Sequence, residues 1–160
     1  MEQRTSPPPS VIDATKKYSI TVHTSRGDFV IALVEPKVAP QTVNNFVYLS
    51  QNHFYDGLTF HRVVPGFVVQ GGDPLGNGTG GPDYKLPDES NPSKWPRGTV
   101  GMASSAAGVS GSQFFITLGD ASFLGSNGVY NHFGKVTSGM DVVDKIQVGD
   151  TMRSVDVSAS

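Results

Sequence analysis

The sequence predicts a mainly β protein, with about eight strands in an antiparallel sheet that closes into a barrel and two helices at its ends. Three observations predict it. Runs of β-forming residues, among them Tyr18–Thr24, Phe29–Val34 and Gln113–Thr117, are bounded by turn-forming Gly, Pro, Asp and Ser. Only two stretches, 40–51 and 140–146, place apolar residues at helical spacing. An antiparallel sheet of this size must hide its edges, and closure into a barrel removes them, leaving the helices to plug the open ends.

Composition sets the outer bounds. The 160 residues fit one domain, long enough to bury about two thirds of the surface its unfolded chain exposes. The absence of cysteine excludes disulfides, thiolate catalysis and zinc-thiolate sites. Net charge is −2, from 12 basic and 14 acidic residues without a run of either sign, so neither a nucleic-acid footprint nor an anionic-membrane footprint is expected. Nineteen Gly and eleven Pro make the chain rich in loops without reaching a disordered composition. No window approaches the length of an apolar membrane span, and Met1–Lys17 lacks the apolar core of a secretion signal, which makes the cytoplasm the expected address.

Residues 1–17 contain Ser6-Pro7-Pro8-Pro9-Ser10 and little apolar material, predicting a mobile or surface-draped arm ahead of a domain at 18–160. Tyr18–Thr24 and Phe29–Val34 alternate as strands about a turn at 25–28. Residues 40–51 read as a helix, with Pro40 in the first turn and Val43, Phe46, Val47 and Ser50 on a stripe suited to core packing. Tyr55-Asp56-Gly57 then turns the chain into its central segment, where β-formers at 58–64 and 67–70 flank Pro65-Gly66 as a second hairpin. Alternation puts Phe60 and Arg62 on one face of the first arm and Val68 and Gln70 on one face of the second, with Phe67 at the turn. Such a surface carries a cation, an amide and aromatic area but no nucleophile or metal-ligand set. It suits a substrate that is gripped and polarised, not cleaved. Taken alone, an Arg in a half-exposed strand is as readily a solvated side chain or half of a weak ion pair.

Residues 71–98 show little periodicity and read as a long surface loop with local turns at most. Gly76–Gly81 has the letters of a dinucleotide fingerprint, but Pro82-Asp83-Tyr84 follows where that motif needs a helix, so these glycines read as turn formers. Asn77-Gly78-Thr79 is a glycosylation triplet by letters only. Val100–Ala103 reads as a short strand, 104–112 as a small-residue loop that a ligand backbone can approach, and 113–117 as a strand. A turn-rich piece at 121–124, a loop at 125–128 and a strand at 130–136 follow. The second helix, 140–146, carries Val142, Val143 and Ile146 as its stripe, and 153–157 is the last strand. The histidines at 23, 53, 61 and 132 form no ligand pattern and Ser112 lies in no nucleophile elbow, so neither metal, cofactor nor hydrolase chemistry is expected.

Two stretches, Phe60-His61-Arg62-Val-Val-Pro-Gly-Phe67-Val-Val-Gln70-Gly-Gly-Asp73 and Gly111-Ser-Gln113-Phe114-Phe115-Ile-Thr117, together resemble the signatures of the cyclophilin family of peptidyl-prolyl cis/trans isomerases. The resemblance runs from about Tyr18 to Val157, through 39–46, 54–57 and 133–136. It implies a closed, eight-stranded antiparallel barrel capped by two α-helices, with the active groove on the outer surface. It implies Arg62 as the catalytic cation, with Phe67, Phe115 and Leu124 walling a proline pocket and Gln70 and His61 lining the same groove. Ala103 and Ser104 are then expected to offer backbone groups to the peptide beside the proline, with Gln113 next to them. Ser104, Val68, Phe123 and Tyr130 stand where the commonest family pattern has Asn, Met, Trp and His, and the loop 125–129 is slightly longer than in short members. The lost indole donor at Phe123 implies weakened cyclosporin affinity. The implied partners are proline-containing peptides and unfolded protein clients, and the implied state is a monomer.

The chemistry suits these residues. Amide resonance sets a barrier of about 18–20 kcal/mol to rotation of a peptide bond. At the barrier top the proline nitrogen is pyramidal and accepts a hydrogen bond, so a guanidinium beside it binds the twisted state better than either planar one. No proton transfer is needed, and His61 is expected to line the groove or support it instead of acting as a base. A proline-peptide binding module or chaperone with incidental turnover is the competing reading, and Arg62 favours the enzyme because docking a proline ring requires only the apolar pocket.

Overall fold

The computed structural model describes residues 8–160 apart from 83, 90, 91, 93, 106, 107 and 126–129. The expected lengthening at 125–129 and the first part of the arm therefore fall mostly outside the described residues.

Among the described residues nine strands form one antiparallel sheet: β1 Tyr18–Thr24, β2 Gly27–Leu33, β3 Phe60–Val64, β4 Val68–Gly71, β5 Lys85–Leu86, β6 Thr99–Ser105, β7 Gly108–Thr117, β8 His132–Ser138 and β9 Met152–Ala159. The helices are α1 Pro40–Gln51 and α2 Met140–Lys145. Strand order is β3-β4-β7-β6-β8-β2-β1-β9, with β5 paired to β7 off this path. The sheet curls, but the expected closed barrel does not form. Its end strands share no ladder and meet through one bridge, Thr59 with Thr151, and through backbone bonds such as Phe60 N to Asp150 O (2.9 Å) and Met152 N to Leu58 O (2.8 Å). The reason is local: β3 is short and bulged between Phe60 and Arg62, and a bulge bends the strand that carries it, so contact with the β9 side is confined to residues 57–60 ahead of the bulge.

The bulge also corrects a facing. Phe60 and Arg62 do not share a face, because the extra residue shifts the alternation: Phe60 is fully buried in the core and Arg62 is exposed. Two segments read as loops contain strand. Small residues at 104, 105 and 108–112 belong to β6 and β7, and β5 interrupts the loop after Gly71.

The core is the concave side of the sheet plus α1. Phe46 on α1 lies 5.0 Å from Tyr55, 5.3 Å from Phe114 and 4.9 Å from Phe133 between ring centroids, which fixes the helix across the curl. Val43, Val47 and Ser50 are buried on the stripe the periodicity predicts. Helix α2 buries Val143 beneath it, and its N-cap Gly139 needs a positive φ of 83°. In the arm, Val11 N donates to Asn44 Oδ1 (2.7 Å) and Asn44 Nδ2 to Pro9 O (3.0 Å), so residues 9–11 lie along α1.

Candidate active site

Alternation along three neighbouring strands builds the site. On β7, Phe114 and Ile116 enter the core while Phe115 joins a second, outer cluster; on β6, Val100 and Met102 go in and Ala103 out; on β4, Val69 goes in and Val68 out. Because β4, β7 and β6 are adjacent, the outward residues form one surface. Trp95 is fully buried against it, stacked on Phe115 at 5.5 Å, and Tyr130 stands edge-on to Phe115 at 5.8 Å and to Trp95 at 6.4 Å. Gly101 admits that tryptophan, since a Cβ there would lie 2.6 Å from Trp95 Cη2.

Between these residues opens a hollow of about 640 Å³. Phe67, Val68, Phe115, Leu124 and Tyr130 give it apolar walls, and Phe123, 51% exposed, sits 5.4 Å from Phe67 as part of its lining. Arg62, His61 and Gln70 form a polar wall, and Ala103 and Ser104 line it as well. Every residue predicted for the site lines this hollow except Gln113, which lines an adjoining one of about 310 Å³ that shares Gln70, Ala103 and Ser104 with it. The sequence reading missed Asn77 and Gly78 in the lining and Trp95 behind it. The single tryptophan amid Gly, Pro and Ser residues carried no periodic signal, and only the rule that Trp is rarely left unpacked could have marked it.

A chain of hydrogen bonds fixes the polar wall. Arg62 Nη1 donates to Gln70 Oε1 (3.3 Å), Gln70 Nε2 to Gln113 Oε1 (3.1 Å), and Gln113 Nε2 to the carbonyls of Gly78 (3.1 Å) and Gly80 (2.8 Å). Strand register sets it up, for Arg62 faces Gln70 across the hairpin. Among the described residues no carboxylate pairs with Arg62, so its donors stay directed by a neutral amide. The loop that ends the chain of bonds is tied by Asp73, whose carboxylate accepts from Leu75 N (2.8 Å), Asn77 N (3.0 Å) and Gly78 N. Burial pushes the Asp73 carboxyl upward, but the amides of Leu75, Gly80, Asn77 and Gly78 outweigh it and hold the group below the usual range. Burial lowers the His61 pKa, the nearby Arg62 charge adds to this, and Asp73 partly opposes it. His61 Nδ1 is buried without a hydrogen-bond partner, which leaves a neutral ring without the carboxylate that would make it a base.

No set of three His, Asp or Glu side chains that could hold a metal occurs among the described residues. The arrangement offers one aimed cation beside an apolar slot, and the Ala103–Ser105 stretch of β6 lies beyond the end of its pairing with β8. It can seat a compact apolar ring, direct a donor at an atom beside it, and bond an extended backbone.

Comparison with known proteins agrees with this geometry. The family described as "Cyclophilin type peptidyl-prolyl cis-trans isomerase/CLD" matches residues 19–159. A peptidyl-prolyl cis-trans isomerase of Helicobacter pylori is 46% identical over 144 residues, covering 88% of this chain and 86% of its own. Peptidyl-prolyl cis-trans isomerase B of Bacillus subtilis is 50% identical over 124 residues, covering 76% and 85%. Among solved structures, a Cryptosporidium parvum cyclophilin type isomerase in the presence of the dipeptide Ala-Pro superposes with a TM-score of 0.77 at 30% identity, covering 88% of this chain and 98% of that one. With the family matched along nearly its whole length, the chain belongs to the cyclophilin-type peptidyl-prolyl cis-trans isomerases.

Proposed function

We propose that the chain rotates Xaa-Pro bonds in peptides and unfolded proteins at the hollow between Arg62 and Phe115, by a non-covalent route. The observation that carries this reading is the guanidinium held by Gln70 beside the slot walled by Phe67, Phe115 and Leu124. The proline ring enters the slot, Gln70, Gln113 and the Ala103–Ser104 backbone hold one side of the bond, and Arg62 donates to the nitrogen as it pyramidalises. Acceleration from tens of seconds to milliseconds is about 10⁴-fold, or roughly 5.5 kcal/mol. One preorganised donor supplies about 2.7–4 kcal/mol, and the apolar slot supplies the remainder by disfavouring the more polar planar amide.

A protease-coupled assay on an Ala-Pro peptide tests it: Arg62→Ala should lose about 10²- to 10³-fold in kcat/KM, and a loss within threefold would show a binding module with incidental turnover. The catalytic unit is 18–160, acting as a cytoplasmic monomer in protein folding, with 1–17 an appended arm. Cyclosporin is an inhibitor of weakened affinity here because Phe123 cannot donate the hydrogen bond an indole would, and an inhibition curve against Phe123→Trp reads that directly.

A further inference from the structure

We infer that Asn131 is a positioning residue for the hollow, holding Tyr130 and the Ala103–Ser104 backbone in register with the start of α1. The inference rests on the reading that the hollow beside Phe115 and Tyr130 takes the substrate proline. Asn131 is fully buried, and its side chain ties its own strand entry to two other segments, the start of α1 and the stretch 87–89. Its Nδ2 donates to Thr42 Oγ1 (3.0 Å) and to Pro87 O (2.7 Å), and its Oδ1 accepts from Glu89 N (2.9 Å). Its backbone carbonyl accepts from Met102 N (2.9 Å), the residue before Ala103.

The far end of the network is firm. Ala39, at the N-cap of α1, makes no side-chain cap. The Glu89 carboxylate takes that place, accepting from Gln41 N (2.9 Å), Thr42 N (2.7 Å) and Thr42 Oγ1 (2.6 Å). Asn131 thus hangs from an anchored helix terminus on one side and carries two parts of the hollow on the other: Tyr130 directly before it, and β6 through Met102. Only a carboxamide meets the demand, for the site needs two donors and an acceptor from one planar group; an aspartate in its place leaves Pro87 O and Thr42 Oγ1 facing a carboxylate. The network ends on Tyr130 and the Ala103–Ser104 backbone, which seat the peptide, and does not touch the Arg62–Gln70–Gln113 chain or the Phe67 and Leu124 walls of the slot. Its loss should therefore appear chiefly in KM, with only a small change in kcat.

Steady-state isomerisation of an Ala-Pro peptide by the full chain, with emission of Trp95 as a second readout, tests this. Trp95 is the one tryptophan and lies edge-on to Tyr130, so its emission reports the wall's placement. Asn131→Ala and Asn131→Asp should raise KM about tenfold with kcat within about twofold and shift the Trp95 emission. Thr42→Ser, which keeps the hydroxyl, should match the parent, while Thr42→Val should raise KM about threefold. Should Asn131→Ala fail to fold, Asn131→Asp and Thr42→Val decide the matter. A lowered melting temperature with KM unchanged, or a loss confined to kcat, overturns the proposal. Phe115→Ala and Tyr130→Ala separate it from the reading beneath it: if they leave KM unchanged, the hollow is not the proline site, whatever Asn131 does.

Discussion

Adding one methyl group at Gly101 should disable the hollow from behind. A Cβ there would stand 2.6 Å from Trp95 Cη2, 2.7 Å from Trp95 Cζ3 and 3.1 Å from Phe115 Cζ. Carbon atoms rest at about 3.5–4.0 Å, so an aromatic ring must move by close to an ångström. Neither ring retreats freely, as Trp95 is fully buried and Phe115 is held on β7 between β4 and β6. Overpacking of this kind costs about 1–3 kcal/mol. At roughly 2–4 °C per kcal/mol for a domain of this size, the melting temperature should fall by about 2–12 °C. Because the ring pushed out of place is the slot's own wall, KM for an Ala-Pro peptide should rise as well. Calorimetry and steady-state kinetics on Gly101→Ala check both, and a melting point within a degree of the parent with unchanged KM would refute the claim that Trp95 and Phe115 are packed to capacity.

Four further outcomes follow from named contacts. Asp73→Asn should release the loop carrying Gly78 and Gly80 and lower kcat/KM about tenfold, measured on the peptide, because amides held by a carboxylate bond a neutral carboxamide more weakly. The same carboxyl, with its pKa depressed by folding, contributes stability that is complete above the ordinary value of 3.8 and disappears as pH falls through the folded value, so acid melts of Asp73→Asn and the parent should converge there. Glu89→Ala should cost about 0.5–2 kcal/mol by uncapping α1, read from denaturant melts. His23 is raised by its bond to Asp156 and then by that to Asp28, so its contribution is complete below 6.5 and is lost as pH rises through the folded value. The pair is largely exposed and screened, so the gap between the parent and His23→Gln should be a fraction of a kcal/mol at pH 6 and absent at pH 9.

Local pattern carried much of this into the sequence. The stripe on α1 and the hairpin about Pro65-Gly66 follow from periodicity and turn chemistry, and both form where the residues place them. What the pattern could not carry were events decided by partners distant in the chain. The bulge that turns Phe60 inward and Arg62 outward depends on pairing with Gln70 and Gly71. β5 exists because Lys85 and Leu86 meet Ser110 and Val109 on β7, in segments whose small residues signal flexibility when read alone. Closure failed as a prediction because hiding edges does not require a continuous ladder; one bridge at Thr59–Thr151 and a few backbone bonds are enough. Most residues that line the hollow were legible through their motifs, whereas Asn77 and Gly78 were not, and Trp95 and Asn131 are placed by packing and hydrogen bonds to segments far away in sequence.

The central claim is that Arg62 stabilises the twisted amide without contributing much to holding the planar peptide. Exchange of a bound Ala-Pro peptide between cis and trans, measured by NMR line shapes on the parent and on Arg62→Ala, separates the two. The account predicts affinity within about threefold and an on-enzyme exchange rate at least a hundredfold slower in the variant. An unchanged exchange rate, or a loss of affinity that accounts for the whole effect, would contradict it.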